Sequence, residues 1–206
     1  MLTGKSKNWL KRHVKDIYVS KSHKNNLRSR AYFKIKSLQE KFNFINKNSF
    51  VLELGSAPGG WSQYVSSIVK HGSGKIIACD LLEMDPLSGV DFVRGDFTDD
   101  NVFKSLLGYS SKKKFDVILS DMSPNLTGNA SIDIPRSINL AELGFDMCVQ
   151  SLACKGAFVV KLFQGSGFDD YLSLLRDNFK SVTIEKPDSS RASSREVYIV
   201  ARFYNF

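Results

Sequence analysis

Four charged residues stand where apolar runs end or are interrupted. Asp80 closes Lys75 to Cys79 (KIIAC), and Asp96 follows the short run Asp91 to Arg94 across Gly95. Asp121 closes Phe115 to Ser120 (FDVILS), and Lys161 interrupts the apolar run Ala157 to Phe163 (AFVVKLF). An acid after a strand is most often a turn residue or a helix cap. Together, at these spacings, a ligand reading is the better one. An acid ending the second strand, a little over twenty residues past Gly55, is where nucleotide folds place a carboxylate on ribose hydroxyls. Asp96 can accept from an exocyclic adenine amine, with Phe97 or Leu81 flanking the ring. A lysine inside a central strand costs too much to be decoration, although one near the strand's end can reach water. Asp121 and Lys161 fall at the carboxyl ends of adjacent central strands, where open α/β sheets put their sites.

The element that organises the rest is Glu53 to Trp61, ELGSAPGGW, directly after the apolar run Ser49 to Leu52. An aliphatic run ending in an acid, then glycines and a proline, predicts a buried strand, a tight turn and a helix start. Gly55, Gly59 and Gly60 do not satisfy G-x-G-x-x-G, so the dinucleotide fingerprint is missing. Gly55 and Gly59 let backbone approach a ligand, Pro58 suits a first helical turn, and Glu53 stands where a carboxylate can hold the loop. An ordinary Gly-rich turn is the alternative.

Around that unit the pattern predicts a helix from Ser29 to about Asn43, with a stripe of Ala31, Ile35, Leu38 and Phe42. Gln63 to Val69 continues as a helix. Met122 to Pro135, with Pro124, Asn125 and Gly128, predicts a long loop of the kind that is often functional. Ile138 to Leu152 reads as a helix apolar on most sides and buried. Phe168 to Leu175 follows as a helix, then Ser181 to Glu185 and Glu196 to Arg202 as strands. Strand and helix alternating from residue 50 onward predict an α/β fold, a mostly parallel seven-stranded sheet with helices on both faces.

The 206 residues, 42% hydrophobic and 24% charged, describe a single globular domain, residues 1–206. No apolar stretch reaches membrane-spanning length and no secretory leader opens the chain, so the expectation is a cytoplasmic protein without membrane association. Cys79, Cys148 and Cys154 show no C-x-x-C spacing and read as reduced core residues, with neither zinc nor a disulfide framework suggested. Of the net charge of +8, residues 1–36 hold +10, eleven Lys and Arg against Asp16, which leaves −2 for the remainder. A basic front on a near-neutral body is the footprint of a nucleic-acid partner. A solvated helix or a targeting peptide competes with that reading. Leu10, Val14 and Ile17 recur at helical spacing behind Ser6, which favours a segment folded onto the body.

Taken together, several stretches resemble one family. The acid-x-G-x-small-x-G pattern of Glu53, Gly55, Ala57 and Gly59 resembles the first motif of the S-adenosylmethionine-dependent methyltransferases. LRSRAYFK at 27–34, LGSAPGGWSQYV at 54–65, DLLEMDP at 80–86, GVDFVRGDF at 89–97, SDMSPN at 120–125, DIPRS at 133–137, FVVKLFQG at 158–165 and KPDSSRASSREVYIVA at 186–201 are similar to the FtsJ/RrmJ family of ribose 2′-O-methyltransferases, most of all to its bacterial large-subunit ribosomal RNA members. The resemblance implies a Rossmann-like methyltransferase fold, with S-adenosylmethionine held by Gly55, Gly59, Gly60, Trp61, Asp80, Asp96 and Asp121. It implies a Lys-Asp-Lys-Glu tetrad on Lys34, Asp121, Lys161 and Glu196, of which Lys34 carries no signal of its own. It also makes the basic residues 1–36 an RNA-binding lead, with Arg191 and Arg195 near the RNA path.

The chemistry implied is methyl transfer to a 2′-hydroxyl of 23S ribosomal RNA, at a uridine in the assembled large subunit, by a monomer. Lys161 is assigned as general base, Asp121 as its orienting partner near the cofactor's methionine, and Lys34 and Glu196 as pocket residues. A lysine in water holds its proton at neutral pH, so charged Lys161 and Lys34 stabilising a developing alkoxide is the other reading. Rival functions are methylation of transfer RNA or an mRNA cap, and a catalytically silent RNA-binding assembly factor.

Overall fold

The structure is a computed structural model describing residues 17–191 and 194–206. Its elements in chain order are α1 (Ile17–Lys24), α2 (Ala31–Phe42), β1 (Phe50–Leu54), α3 (Gly60–Val69), β2 (Lys75–Asp80), β3 (Val90–Arg94), α4 (Asp100–Tyr109), β4 (Phe115–Ser120), α5 (Ala130–Ser151), β5 (Leu152–Phe163), α6 (Phe168–Asn178), β6 (Phe179–Glu185) and β7 (Glu196–Tyr204).

The apolar runs form one seven-stranded sheet of order β3-β2-β1-β4-β5-β7-β6. Neighbours from β3 to β5 run parallel, and β7 is antiparallel to both β5 and β6. β1 is buried at every position, as a strand covered on both faces must be. One face packs Ile35 and Leu38 of α2 and Trp61 and Val65 of α3 against Val51, Val117 and Val159. The other packs Leu106 of α4, Phe145 and Met147 of α5 and Leu172 and Leu175 of α6 against Leu52, Leu54, Ile118 and Val160. The chain runs outward from β1 to β3 and then crosses back to β4, so the strand order reverses between β1 and β4. A crevice opens outside the carboxyl ends of strands at such a reversal.

Several expectations are corrected here. The loop expected through Pro135 ends early, because Asn129 caps α5 by accepting from Ser131 N, and the helix carries Pro135 in its second turn. Asp133 accepts from Thr127 N and Oγ1 at 2.9 Å each and from Gly128 N at 3.0 Å, which fastens the preceding loop onto that turn. The same helix is amphipathic: Glu142, Asp146 and Val149 are exposed while Ala141, Phe145 and Cys148 are buried. α4 was not expected at all; Asp99 caps it through Asn101 N and only Leu106 of its residues is fully buried. Cys79 and Cys148 are buried as expected, but Cys154 is exposed in the irregular start of β5, next to Lys155 at φ 63°. Of the expected N-terminal stripe, Ile17 is exposed, and the buried residues of α1 are Val19 and Ser22; Ser6, Leu10 and Val14 lie outside the described residues. Among the described residues no helix is long and apolar enough to cross a membrane.

Candidate active site

The crevice at the strand ends is a cleft of about 430 Å³. Gly55 and Ala57 follow β1, Asp80 to Leu82 close β2, Gly95 to Thr98 follow β3, and Asp121 to Asn125 follow β4; all of them line it. Backbone bonds knit these turns together. Gly55 N donates to Cys79 O at 2.9 Å, Gly95 N to Asp80 O at 2.9 Å, and Asp121 N to Leu54 O at 3.0 Å. Gly55 has φ +77°, and a Cβ there would lie 2.7 Å from Met122 N. Only glycine lets the β1 and β4 turns touch.

Asp80 braces the cleft's rim. Its Oδ2 accepts from Ala57 N and its Oδ1 from Leu82 N, both at 2.8 Å. Each carboxylate oxygen keeps a further lone pair for a hydroxyl donor. Asp96 Oδ1 accepts from Thr98 N at 2.9 Å and Oγ1 at 2.7 Å, bonds that hold this carboxyl below its ordinary range and hence ionised. Leu81 and Leu82 are 60% and 65% exposed, an apolar pair at the mouth suited to the face of a flat ring.

Not every residue expected at the ligand lies on this wall. Gly59 has φ +100°, and a Cβ there would meet Arg28 Nη1 at 2.8 Å. A Cβ on Gly60 would lie 2.2 Å from Ser29 Oγ, so this glycine serves the close packing of α2 on α3. Trp61 is buried against Tyr198, ring centroids 5.7 Å apart. Glu53 sits behind the turn, fully buried, accepting from Ser62 Oγ at 2.5 Å and so tying β1 to α3.

Lys34, Asp121, Lys161 and Glu196 come together from four elements. β5 and β7 pair Lys161 with Tyr198 and Phe163 with Glu196, which puts these four on one face of the sheet's end. Lys161 Nζ donates to Asp121 O at 2.6 Å and forms an ion pair with Asp121 Oδ1 at 3.1 Å. Lys34, projecting from α2, donates to Glu196 Oε1 at 2.7 Å and to Tyr198 OH at 3.0 Å. Tyr198 OH in turn donates to Asp121 Oδ1 at 3.0 Å. Burial, with the Asp121 and Glu196 carboxylates close by, pushes the Tyr198 phenol well above its ordinary value, so it keeps its proton and remains a donor. The two lysine–carboxylate pairs are thus one chain, Glu196–Lys34–Tyr198–Asp121–Lys161. Asp121 belongs both to this chain and to the wall of the cleft.

Sequence reasoning missed Tyr198, whose place two residues after Glu196 gives the same-face signal while its aromatic ring reads as ordinary core. It also missed what Arg28 does. This guanidinium donates to Asp85 O and Pro86 O at 2.7 Å each and to Pro58 O at 3.4 Å, clasping the first turn to the loop beyond β2.

With this geometry in hand, comparison with known proteins is specific. Residues 27–204 match the FtsJ-like methyltransferase family. A solved structure from Plasmodium falciparum, described as a ribosomal RNA methyltransferase, is 32% identical with a TM-score of 0.78, over 86% of this chain and 98% of that one. Human methyltransferase-like protein 13, solved in complex with SAH, shares the fold at TM-score 0.56 and 15% identity, over 76% of this chain and 72% of its own. A fibrillarin/Nop5p complex does so at 0.53 and 18%, over 79% and 75%. A family match spanning nearly all the described residues, on the fold expected of such enzymes, means that this chain belongs to the FtsJ-like methyltransferase family.

Proposed function

We propose that this chain transfers a methyl group from S-adenosylmethionine to a ribose 2′-hydroxyl of RNA, its substrate being large-subunit ribosomal RNA in the assembled particle and the methylated nucleotide a uridine. The observation that carries the reading is the double membership of Asp121. One residue joins a cleft whose acids and exposed leucines suit ribose and adenine to a buried lysine chain suited to a hydroxyl.

When bound, S-adenosylmethionine supplies an electrophilic methyl on a cationic sulfur. Asp80 would take the cofactor's ribose hydroxyls and Asp96 its adenine amine, and Gly55 would allow the close approach of its methionine part. What the protein adds is alignment of the 2′-oxygen with the methyl, an effect that supplies roughly 7–11 kcal/mol. Lys161 is assigned to that oxygen. Asp121 uses two of its three N–H donors, which fixes the direction of the third. As general base Lys161 takes the hydroxyl proton; as an ammonium held by Asp121 it steadies the negative charge that develops on oxygen, with Lys34 adding to the field. The pH dependence of single turnover separates the two, because only the base requires the neutral amine.

The preference for ribosomal RNA rests on the resemblance of KPDSSRASSREVYIVA and of the basic N-terminal lead, and on the likeness to the Plasmodium protein. The substrate's 2′-OH itself distinguishes RNA from DNA. A monomer suffices, since one chain carries both cleft and lysine chain. The test is to compare initial methylation rates on unmethylated large subunits, on the stripped RNA and on transfer RNA at matched salt. Fastest transfer to the particle is expected. Faster methylation of transfer RNA would overturn the ribosomal assignment.

A further inference from the structure

A second polar cluster stands beside the lysine chain. Arg30, the residue just before α2, donates through Nη2 to the carbonyl oxygen of Ser189. Burial and the adjoining Arg191 guanidinium both push Arg30 below its ordinary value, while Glu196 and Tyr198 are near enough to oppose them. Arg191 follows Ser190 directly in the chain, so the loop that Arg30 bonds also carries the second guanidinium. That loop holds two serines, 3% and 9% exposed, Ser189 and Ser190, whose hydroxyls have no hydrogen-bond partner. A buried hydroxyl with nothing to bond works against the fold.

Paired guanidinium forks beside idle hydroxyl donors are complementary to a tetrahedral anion, which accepts from all of them at once. We propose that Arg30, Arg191, Ser189 and Ser190 form a phosphate subsite that grips a backbone phosphodiester of the RNA next to the ribose being methylated. This rests on the RNA-methylating reading above and names where the strand is held. The surroundings favour a polyanion over a lone ion. Lys186, which reaches Ser194 O at 2.7 Å, and the exposed Arg195 extend the positive charge along the same loop. The loop leads directly into Glu196, whose N–H donates to Ser194 Oγ at 3.2 Å. A phosphate held here fixes the register of the strand without reading its bases.

The test uses the whole chain and a large-subunit RNA fragment, with affinity measured by fluorescence anisotropy across a range of salt. Arg30→Gln and Arg191→Gln should each weaken binding and reduce the slope of log K against log salt by about 0.7–0.9, the value of one phosphate contact. The paired change Ser189→Ala with Ser190→Ala should weaken binding about tenfold, as loss of hydrogen bonds to a charged group does. It should melt no lower than wild type, because it deletes hydroxyls that bond nothing within the fold. Affinity for S-adenosylhomocysteine should be unchanged in all the variants. Unaltered salt slopes, or a serine variant that melts lower and binds RNA normally, would overturn the subsite. Inorganic phosphate binding that these variants abolish while RNA binding persists would make this an ion site and overturn the RNA assignment. A wild-type protein that binds S-adenosylhomocysteine and no RNA would instead sink the RNA reading on which the subsite depends.

Discussion

Replacing Glu53 with glutamine isolates what a fully buried carboxyl does to this fold. Glu53 lies in β1 between β2 and β4, and its Oε2 accepts from Ser62 Oγ at 2.5 Å. Burial raises this carboxyl from 4.5 to about 8; the hydrogen bond from Ser62 opposes the rise, and the charges of Asp121 and Asp80 add to it. Unfolded, the group ionises near 4.5, whereas folded it keeps its proton to about 8. Between those values the folded chain holds a proton that the unfolded chain has released, so its stability falls as pH rises. The contribution is complete below the lower value and lost by the upper one. The separation corresponds to about 5 kcal/mol above pH 8 and roughly 3 kcal/mol at pH 7. That is a large share of a typical stability of about 5–15 kcal/mol. Glu53→Gln retains the shape and an acceptor for Ser62 but has no such proton to lose. Urea denaturation between about pH 5 and 8.5 should show wild type weakening by several kcal/mol relative to the variant, which gains most at the alkaline end. Because the carboxyl lies behind the cleft wall, affinity for S-adenosylhomocysteine should hardly change. Parallel stability curves for the two proteins would refute the argument that burial keeps this carboxyl neutral.

The remaining predictions concern the chain of charges and the loops around it. Lys161→Ala should cut single-turnover methyl transfer by roughly 10²–10⁴ while leaving cofactor affinity nearly intact, and should lower stability by about 3–5 kcal/mol, since it leaves Asp121 without its ion-pair partner. Asp121→Ala, which alters both chain and cleft, should damage turnover and cofactor affinity together, as calorimetry would record. Tyr198→Phe removes the donor to Asp121 and the acceptor for Lys34, and should cost about 1.5–3 kcal/mol in denaturation experiments with a matching fall in turnover. Arg28→Ala unclasps Pro58 from Asp85 and Pro86, and should weaken S-adenosylmethionine binding about tenfold in calorimetry while saturated turnover changes less.

What could be read in the sequence followed from periodicity and from position at strand ends. The runs before Glu53, Asp80 and Asp121 are apolar because they are buried on both faces, and that property is visible without coordinates. Lys161 stood out because it breaks such a run. The start of α5 was hidden because Pro135 signals a break, whereas the helix is fixed by Asn129 and by Asp133 folding back on the preceding loop. α4 was hidden because its apolar stripe is short and much of its surface faces water. Gly60 and Trp61 carry the motif yet are packed closely, a distinction that requires knowing that Ser29, just before α2, lies against Gly60 and that Tyr198 lies against Trp61. Tyr198 was hidden for the opposite reason: an aromatic in a buried strand needs no further explanation until its hydroxyl is seen between Lys34 and Asp121.

The central claim is that the lysine chain acts on a ribose hydroxyl, and the chemical position of the transferred methyl tests it most directly. Unmethylated large subunits are incubated with S-adenosylmethionine carrying a labelled methyl, and the RNA is digested to nucleosides and separated. The account predicts that the label appears in a 2′-O-methylated nucleoside, expected to be 2′-O-methyluridine, and is lost with Lys161→Ala. Label in a base-methylated nucleoside, or undiminished labelling by the Lys161 variant, would contradict it.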